Sequence, residues 1–397
     1  MKNVSQRAAI TLAALSVLAT TACRDAKPTE QPGNDGSASQ TTQATTSASA
    51  AASASAAPSA SLSASALASA EPVPSGPPRP IDMHVDTPWQ VKFKGHSIKL
   101  NDGQMRIEDI KNGLYGGVVY PIYISDKLHD NHPTIRDAYE IYDTVEQIVA
   151  AHSDLLWLDS KGPTPEGMVT IYVSIEGAGA FAENIKEIDH FIERGVVFVG
   201  PVHWSDDKLS TSATGSDKQH GLSKLGKQFC ERVYTQGGLV DVSHMSDKGF
   251  EDLVPIADKF GAPIVATHSN SRAVMQHNRN LTDDQLKTIA RTNGVAGLNF
   301  YRDYVKGKGT GTVQDLVQHA LHMIDVAGID HVGLGSDYDG GTPVEGLETG
   351  GKMQALADAL REAGLSEADI HKIFSENVKR VIQWAKDHRP AKPAPTK

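Results

Sequence analysis

The sequence predicts an α/β fold, a (β/α)8 barrel of the TIM type, preceded by a long tract of low complexity. Two observations favour this fold. From residue 81 onwards, eight short apolar segments alternate with amphipathic helical segments, and most of the apolar segments end in a polar side chain. Repeated alternation of strands and helices is typical of a closed parallel barrel. An open doubly wound sheet is the alternative, but no glycine-rich phosphate loop follows the first predicted strand.

The N-terminus, residues 1–22, predicts a lipoprotein-type signal peptide. Lys2 and Arg7 precede an apolar run from Ala8 to Ala19, which is shorter than the ~20 residues that a membrane-spanning helix needs. Small residues then lead into Cys23, so we expect Cys23 to be lipidated and to become the first mature residue. Ordinary signal-peptidase cleavage, which would give a secreted or periplasmic soluble protein, is the alternative.

Residues 23–80 are predicted to be the lipidated cysteine and a disordered linker. The linker consists mainly of Ala, Ser, Thr, Gly and Pro, a composition that buries too little apolar surface to offset the entropy of ordering. Arg24 after the cysteine is not the aspartate associated with inner-membrane retention. We therefore expect an exported protein anchored to the outer membrane, on its periplasmic or surface face, by lipid alone.

The remaining chain is predicted to form one folded domain at 81–390, followed by a disordered tail at 391–397. The formal net charge of −10 and the lack of a basic block exclude nucleic acid as an expected partner. Cys230 is the only other cysteine, so with Cys23 acylated no internal disulfide can form. We expect Cys230 to pack in a helix as a small apolar side chain.

The eight predicted strands are short and rich in Val, Ile and Gly. Helical segments lie between them, and several of these end at glycine, as helix C-termini often do. In chain order the strands are predicted at 81–86, 116–124, 168–176, 195–203, 238–244, 262–268, 294–300 and 331–337.

Polar side chains capable of chemistry stand at or just beyond the C-terminal ends of six of these strands. That end of a (β/α)8 barrel is its catalytic face, where residues from different strands converge. Any one of them has a structural explanation, such as a loop histidine or a helix cap, but seven on one rim indicate a shared site. They are His84, Asp86, Glu176, His203, His244, His268 and Asp337.

Five of these residues are nitrogen and oxygen ligands suited to Zn²⁺ or a similar divalent ion: His84, Asp86, Glu176, His244 and His268. A catalytic zinc usually takes three protein ligands and water, so the set predicts two metals with a shared carboxylate. Asp337 remains as a proton acceptor from water and donor to the leaving group. The expected reaction is hydrolysis of an amide, ester or similar carbonyl compound.

Residues 81–385 resemble the membrane (renal) dipeptidase family, peptidase family M19 of the amidohydrolase-like barrels. The matching motifs run in order along the domain and include "HVDTPW" (84–89), "NGLYGGVV" (112–119), "IEG" (175–177), "HWSDD" (203–207), "GLS..G" (221–226), "DVSHMS" (241–246), "APIVATHSNSRAV" (262–274), "RNLTDDQL" (279–286), "HVGLGSDYDGG" (331–341) and "EN..RV" (376–381).

The resemblance implies a binuclear zinc centre. His84 and Asp86 would bind one zinc, His244 and His268 the other, and Glu176 would bridge the two.

The resemblance also implies roles around the substrate. His203 would contact the substrate carbonyl and stabilise the oxyanion, and Arg279 would bind the C-terminal carboxylate. Asp337 would be the general acid and base; from the residues alone, Asp339 is an equal candidate.

Two departures from the family pattern concern the mouth of the barrel. Gly179 stands where the resemblance leads us to expect a histidine, and "VVY" at 118–120 replaces Gln-Phe-Trp. Both changes affect the expected side-chain preference more than the metal chemistry.

The function that follows is a zinc-dependent dipeptidase acting on dipeptides with a free C-terminal carboxylate, through a metal-bridging hydroxide. A homodimer is a further implication of the resemblance. One alternative keeps the binuclear barrel but hydrolyses a lactone, an ester or an N-acyl amino acid. Others are a non-catalytic binding lipoprotein and a structural envelope protein, which the polar rim does not favour.

Overall fold

A computed structural model describes residues 76–391. The predictions for residues 1–75, including the lipidated Cys23, lie outside this range, as does most of the predicted tail. All eight predicted strands are present, each shorter than predicted, and a ninth strand is added. The strands are β1 Ile81–Asp82, β2 Gly117–Tyr123, β3 Leu156–Leu158, β4 Val169–Glu176, β5 Val196–Gly200, β6 Leu239–Val240, β7 Val265–Ala266, β8 Val295–Leu298 and β9 Val332–Leu334.

Helices follow the barrel strands on the outside. Six of the twelve begin after a serine or threonine; in five of these the side-chain oxygen accepts a hydrogen bond from a backbone N–H of the first turn. They are α1 Thr87–Phe93, α2 Ile107–Asn112, α3 Ile135–Ala151, α4 Glu187–Glu193, α5 Lys224–Thr235, α6 Asp247–Phe260, α7 Asp283–Arg291, α8 Arg302–Val305, α9 Val313–Ala327, α10 Met353–Glu362, α11 Glu367–His371 and α12 Asn377–Asp387.

The strands form a parallel sheet in the order β6-β5-β4-β2-β1-β9-β8-β7. A parallel bridge between Asp241 and Val265, just beyond β6 and at β7, joins the two ends of this order and closes the barrel. The unpredicted β3 pairs only with the start of β4 and lies outside the ring. The expected (β/α)8 barrel is therefore confirmed.

The core is continuous through the barrel and beneath the helices. β4 is buried along its whole length, because side chains fill the barrel on one face and helices cover the other. Cys230 in α5 is fully buried, as expected. Within residues 76–391, no helix combines the length and apolarity needed to cross a membrane.

Candidate metal centre

His84 and Asp86 lie just past β1, which ends at Asp82 rather than at residue 86 as predicted. The chain continues in extended form through an isolated bridge between Val85 and Tyr338. Oδ1 of Asp82 accepts hydrogen bonds from the backbone N–H groups of His84 (3.2 Å) and Ser336 (2.9 Å). This buried carboxylate thereby fixes the segment that presents the His84 and Asp86 side chains to the barrel mouth.

Glu176, the last residue of β4, presents its two carboxylate oxygens to different histidines. Oε2 lies 3.5 Å from Nε2 of His84. Oε1 lies 2.9 Å from Nε2 of His244, 3.5 Å from Nε2 of His268 and 3.9 Å from Nε2 of His203. A carboxylate with this division of partners has the geometry expected of a ligand that bridges two sites.

His268 is held in one tautomer by a chain of hydrogen bonds. The Thr267 hydroxyl donates to Oδ2 of Asp241 at 2.5 Å, so it accepts from Nδ1–H of His268 at 2.8 Å. Oδ1 of Asp241 also accepts from the Thr267 and Ser243 backbone N–H groups. Nε2 of His268 is therefore left as a bare acceptor that faces the barrel mouth.

Ring nitrogens and a carboxylate oxygen converge here. Nε2 of His244 lies 3.1 Å from Nε2 of His268, 2.9 Å from Oε1 of Glu176 and 3.1 Å from Nη2 of Arg279. Imidazole nitrogens and carboxylate oxygens grouped this closely are the donor set that divalent metal ions such as Zn²⁺ take in proteins.

Buried atoms without partners support the same fit. Among residues 76–391, both ring nitrogens of His84 and Oδ1 of Asp86 are buried and form no hydrogen bond. Three groups of side chains can each bring ligand atoms within 4.8 Å of one another: His84, Glu176 and His268; Glu176, His203 and His244; and His84, Asp86 and Asp337. All five predicted ligands are thus brought together, with His203 and Asp337 beside them.

Burial and charge set the pKa values in this cluster. Burial lowers the pKa of His244 and His268 well below the usual range, and the charge of Arg279 lowers both further. Burial also raises the pKa of Asp86 to about 7, against the opposing charge of His84. Burial would raise the pKa of Glu176, but nearby histidines, His84 first, hold it well below normal. The two histidines are therefore neutral, as metal ligands must be.

The structure separates Asp337 from Asp339, which the sequence could not do. Oδ1 of Asp339 accepts from the backbone N–H of Gln104 and Oδ2 from the Thr87 hydroxyl, both at 2.6 Å. Both carboxylate oxygens of Asp339 are thereby occupied by hydrogen bonds to other segments of the chain. Asp337 accepts from the Asn299 amide through Oδ2, and its Oδ1 faces Asp86 across Gly340.

Arg279 is 2% exposed, and its guanidinium contacts Ser269, His244 and the His268 carbonyl. None of the ion pairs among residues 76–391 gives it a carboxylate partner, and its Nε is buried without a hydrogen bond. Buried guanidinium groups are normally paired. Arg279 thus offers a site for an anionic group of a ligand.

A cavity of 440 Å³ opens over the cluster at the barrel mouth. It is lined by predicted site residues and by others that the sequence analysis did not single out, among them Gln90, Lys94, Tyr123, Asp126, Lys127, Trp204, Tyr301 and Tyr304. Most of these residues lie at or soon after the C-terminal ends of β1, β2 and β8, in α1, in the loop after β2 and around α8. Their position after a barrel strand is the signal by which the sequence could have identified them. A larger cavity, near β3 and the end of α12, contains none of the predicted site residues.

The fold is a (β/α)8 barrel with a cluster of histidines and carboxylates at its C-terminal face. These are the features of a metal-dependent hydrolase. The chain belongs to the membrane dipeptidase family, peptidase family M19, whose model matches residues 78–395. The expected family is confirmed.

Individual relatives agree with this assignment. Dipeptidase tcpJ of Claviceps purpurea is 28% identical over 316 residues, which cover 75% of this chain and 73% of the relative. A Rhodobacter sphaeroides metallopeptidase, solved with a phosphinate mimic of the dipeptide L-Ala-D-Ala, is 25% identical with a TM-score of 0.70, covering 78% of this chain and all of that one. The probable dipeptidase PvdM of Pseudomonas aeruginosa, 21% identical over 78% of this chain and 96% of its own, shares the fold with a TM-score of 0.69.

Proposed function

We propose that this protein is a zinc-dependent dipeptidase that hydrolyses dipeptides with a free C-terminal carboxylate. The observation that carries the proposal is the position of Glu176, whose two oxygens face separate histidines beside a buried, unpaired Arg279. The names of the similar proteins, a dipeptidase and a metallopeptidase bound to a dipeptide mimic, support the same substrate class.

The residues that would hold two zinc ions are His84 and Asp86 for one, His244 and His268 for the other, and Glu176 between them. Bound zinc would polarise the substrate carbonyl and lower the pKa of a shared water. The tautomer of His268 set by Thr267, and the neutral state of His244, suit these side chains to that role.

The remaining residues act on the substrate. The Arg279 guanidinium binds the C-terminal carboxylate, for which its planar fork is suited. His203, whose ring lies 4.3 Å from that of His244, donates to the developing oxyanion. Oδ1 of Asp337 takes the proton from the attacking water and passes it to the leaving amine. The three residues thus bind the carboxylate of the substrate, stabilise the negative charge of the oxyanion and transfer the proton to the leaving amine.

The proposal is tested by hydrolysis of L,L-, L,D- and D,D-dipeptides by the full chain, before and after chelation and zinc restoration. We expect cleavage that is lost with the metal, restored by zinc and accompanied by two metal ions per chain. If two metals bind and no dipeptide is cut, the dipeptidase proposal fails.

Arg279→Ala separates this proposal from the alternative lactonase or esterase activity. In a dipeptidase this variant should raise KM by about tenfold or more, because an ionic hydrogen bond to the substrate contributes ~1.5–3 kcal/mol. An enzyme acting on an uncharged lactone would lose little. Arg279→Lys is the matched control, since it keeps the charge and removes the planar fork.

The proposals for cellular location and oligomeric state are based on the sequence alone. We propose that the chain is exported and anchored to the outer membrane through lipidated Cys23. Incorporation of labelled palmitate by the wild type but not by Cys23→Ser would support this, and an unlabelled, soluble wild type would favour a secreted form. The homodimer stays a prediction that light scattering can test.

A further inference from the structure

Asp126, in the loop directly after β2, lines the catalytic cavity without a role in the mechanism above. Its Oδ2 is buried and has no hydrogen-bond partner among residues 76–391. A buried, unpartnered carboxylate oxygen is costly unless something else satisfies it. Because this side chain faces a ligand cavity, the ligand is the natural source of that partner.

Asp126 lies across the barrel from Arg279. In the closed strand order, three strands separate β2 from β7 in either direction. Asp126 follows β2, whereas Arg279 contacts the backbone of His268 just beyond β7. The cavity therefore has an anionic group on one wall and a cationic group on the opposite wall, with the candidate metal ligands between them.

The surroundings of Asp126 are suited to a cation. Tyr123 packs between Trp89 and His203, with ring centroids 4.7 and 4.5 Å away, and lines the same wall of the cavity. Aromatic faces next to a carboxylate attract ammonium and guanidinium groups.

Two lysines also line the cavity but are more exposed. Lys94 and Lys127 both lie at its solvent side, where salt and water screen their charges. Nζ of Lys94 is 5.8 Å from the centre of the Trp89 ring. The two screened lysines therefore do not neutralise the carboxylate of Asp126 at the inner part of this wall.

We infer that Asp126 binds a cationic group carried by the N-terminal residue of the dipeptide, so that it determines specificity at the end opposite Arg279. The inference rests on the proposed dipeptidase function. The cation is either a basic side chain or the α-ammonium group. In the first case only dipeptides with a basic N-terminal residue depend on Asp126, and in the second case every dipeptide does.

The test compares wild type and Asp126→Asn, both as full-length, zinc-loaded protein, on Lys-Ala, norleucyl-Ala and Glu-Ala. If a basic side chain is bound, the variant should lose about tenfold in kcat/KM for Lys-Ala, or ~1.4 kcal/mol, and stay within about twofold for norleucyl-Ala. If the α-ammonium group is bound, both substrates should lose equally. Asp130→Asn, an exposed position in the same loop, is the matched control.

Unchanged kcat/KM for Lys-Ala and norleucyl-Ala in Asp126→Asn overturns the inference and leaves the dipeptidase function standing. A wild-type preference for Glu-Ala over Lys-Ala overturns binding of a basic side chain, and equal losses on Lys-Ala and norleucyl-Ala are then required for the α-ammonium group. Calorimetric binding of phosphinate mimics with lysine or norleucine side chains provides a readout without turnover, and the same loss of affinity is expected. A wild type that neither cleaves the dipeptides nor binds the mimics overturns both proposals.

Discussion

The side-chain amide of Asn299 donates a hydrogen bond to Oδ2 of Asp337 over 3.0 Å. Asn299 is itself fixed, because its backbone N–H donates to the Asn270 side chain and its carbonyl accepts from it. Asp337 has a φ of +64°, an uncommon backbone conformation for an aspartate. The bond occupies one carboxylate oxygen and leaves Oδ1 free for proton transfer.

Asp337→Asn should lower kcat by about 10²–10⁴-fold, the usual contribution of a general acid or base. Asp339→Asn should instead weaken the bonds to Gln104 and Thr87 and lower stability by ~1–3 kcal/mol, with kcat largely kept. Steady-state kinetics and thermal unfolding of the two variants check this. The opposite result, with kcat lost only in Asp339→Asn, would exchange the roles of the two residues.

Thr267→Val should weaken zinc binding by about 10–100-fold, the effect usual for residues that orient metal ligands. Valine keeps the shape of the side chain but removes the oxygen that accepts from Nδ1 of His268, so the ring is no longer held in one tautomer. Competition with a chromophoric chelator measures the affinity. Thr267→Ser keeps the hydroxyl and should bind as the wild type does; equal affinity in Thr267→Val would contradict the argument.

Gly340→Ala should abolish most activity without unfolding the protein. A Cβ at this position would lie 2.1 Å from Oδ2 of Asp86 and 2.5 Å from Oδ1 of Asp337, so both carboxylates must move. Displacements of about 1 Å can cost ~10²-fold in rate. Kinetics and circular dichroism check this. Gly200→Ala, where the nearest atom would be 3.5 Å away, is the control and should remain active.

His319 should make stability depend on pH. The Ser271 N–H donates to its Nδ1 and its Nε2–H donates to the Val305 carbonyl, so the folded protein requires the neutral ring. Burial lowers the His319 pKa in the folded state below its usual 6.5. The unfolded chain therefore binds the proton first as pH falls, and the stabilisation that is complete above pH 6.5 is lost below it.

The expected slope is up to ~1.4 kcal/mol per pH unit below pH 6.5 for this one proton. Urea unfolding at pH 7.5, 6.0 and 5.0 measures it in the wild type and in His319→Gln, which cannot titrate. The difference between the two slopes isolates His319 from other histidines. Parallel slopes would show that His319 does not contribute.

The sequence predicted the barrel and the convergence of the polar side chains at its mouth better than it predicted the limits of individual strands. The apolar strand segments and the polar residues that follow them determine the topology, because parallel strands place their C-terminal ends together. The sequence did not predict that β1 stops at Asp82, since the isolated bridge at Val85 depends on a partner more than 250 residues away. It also missed β3, a three-residue strand that pairs only with β4 and whose position depends on that distant partner.

The choice between Asp337 and Asp339 shows a second limit of prediction from the sequence. The two residues are identical in type, two positions apart, and both have positive φ. What distinguishes them is which oxygens are already occupied, by Gln104 and Thr87 in one case and by Asn299 in the other. Contacts between distant segments of this kind have no local pattern in the sequence.

The position of the bridge between Asp241 and Val265 links metal binding to closure of the barrel. Within residues 76–391, β6 and β7 share no other β-bridge, although Thr267 also bonds to Asp241, and His244 and His268 follow the two bridged segments. An ion held by both imidazoles would act as a cross-link between the β6 and β7 segments, where the two ends of the strand order meet. Opening of the ring and release of the ion would then be one coupled equilibrium, so that a higher zinc concentration would raise the fraction of molecules in which the ring is closed.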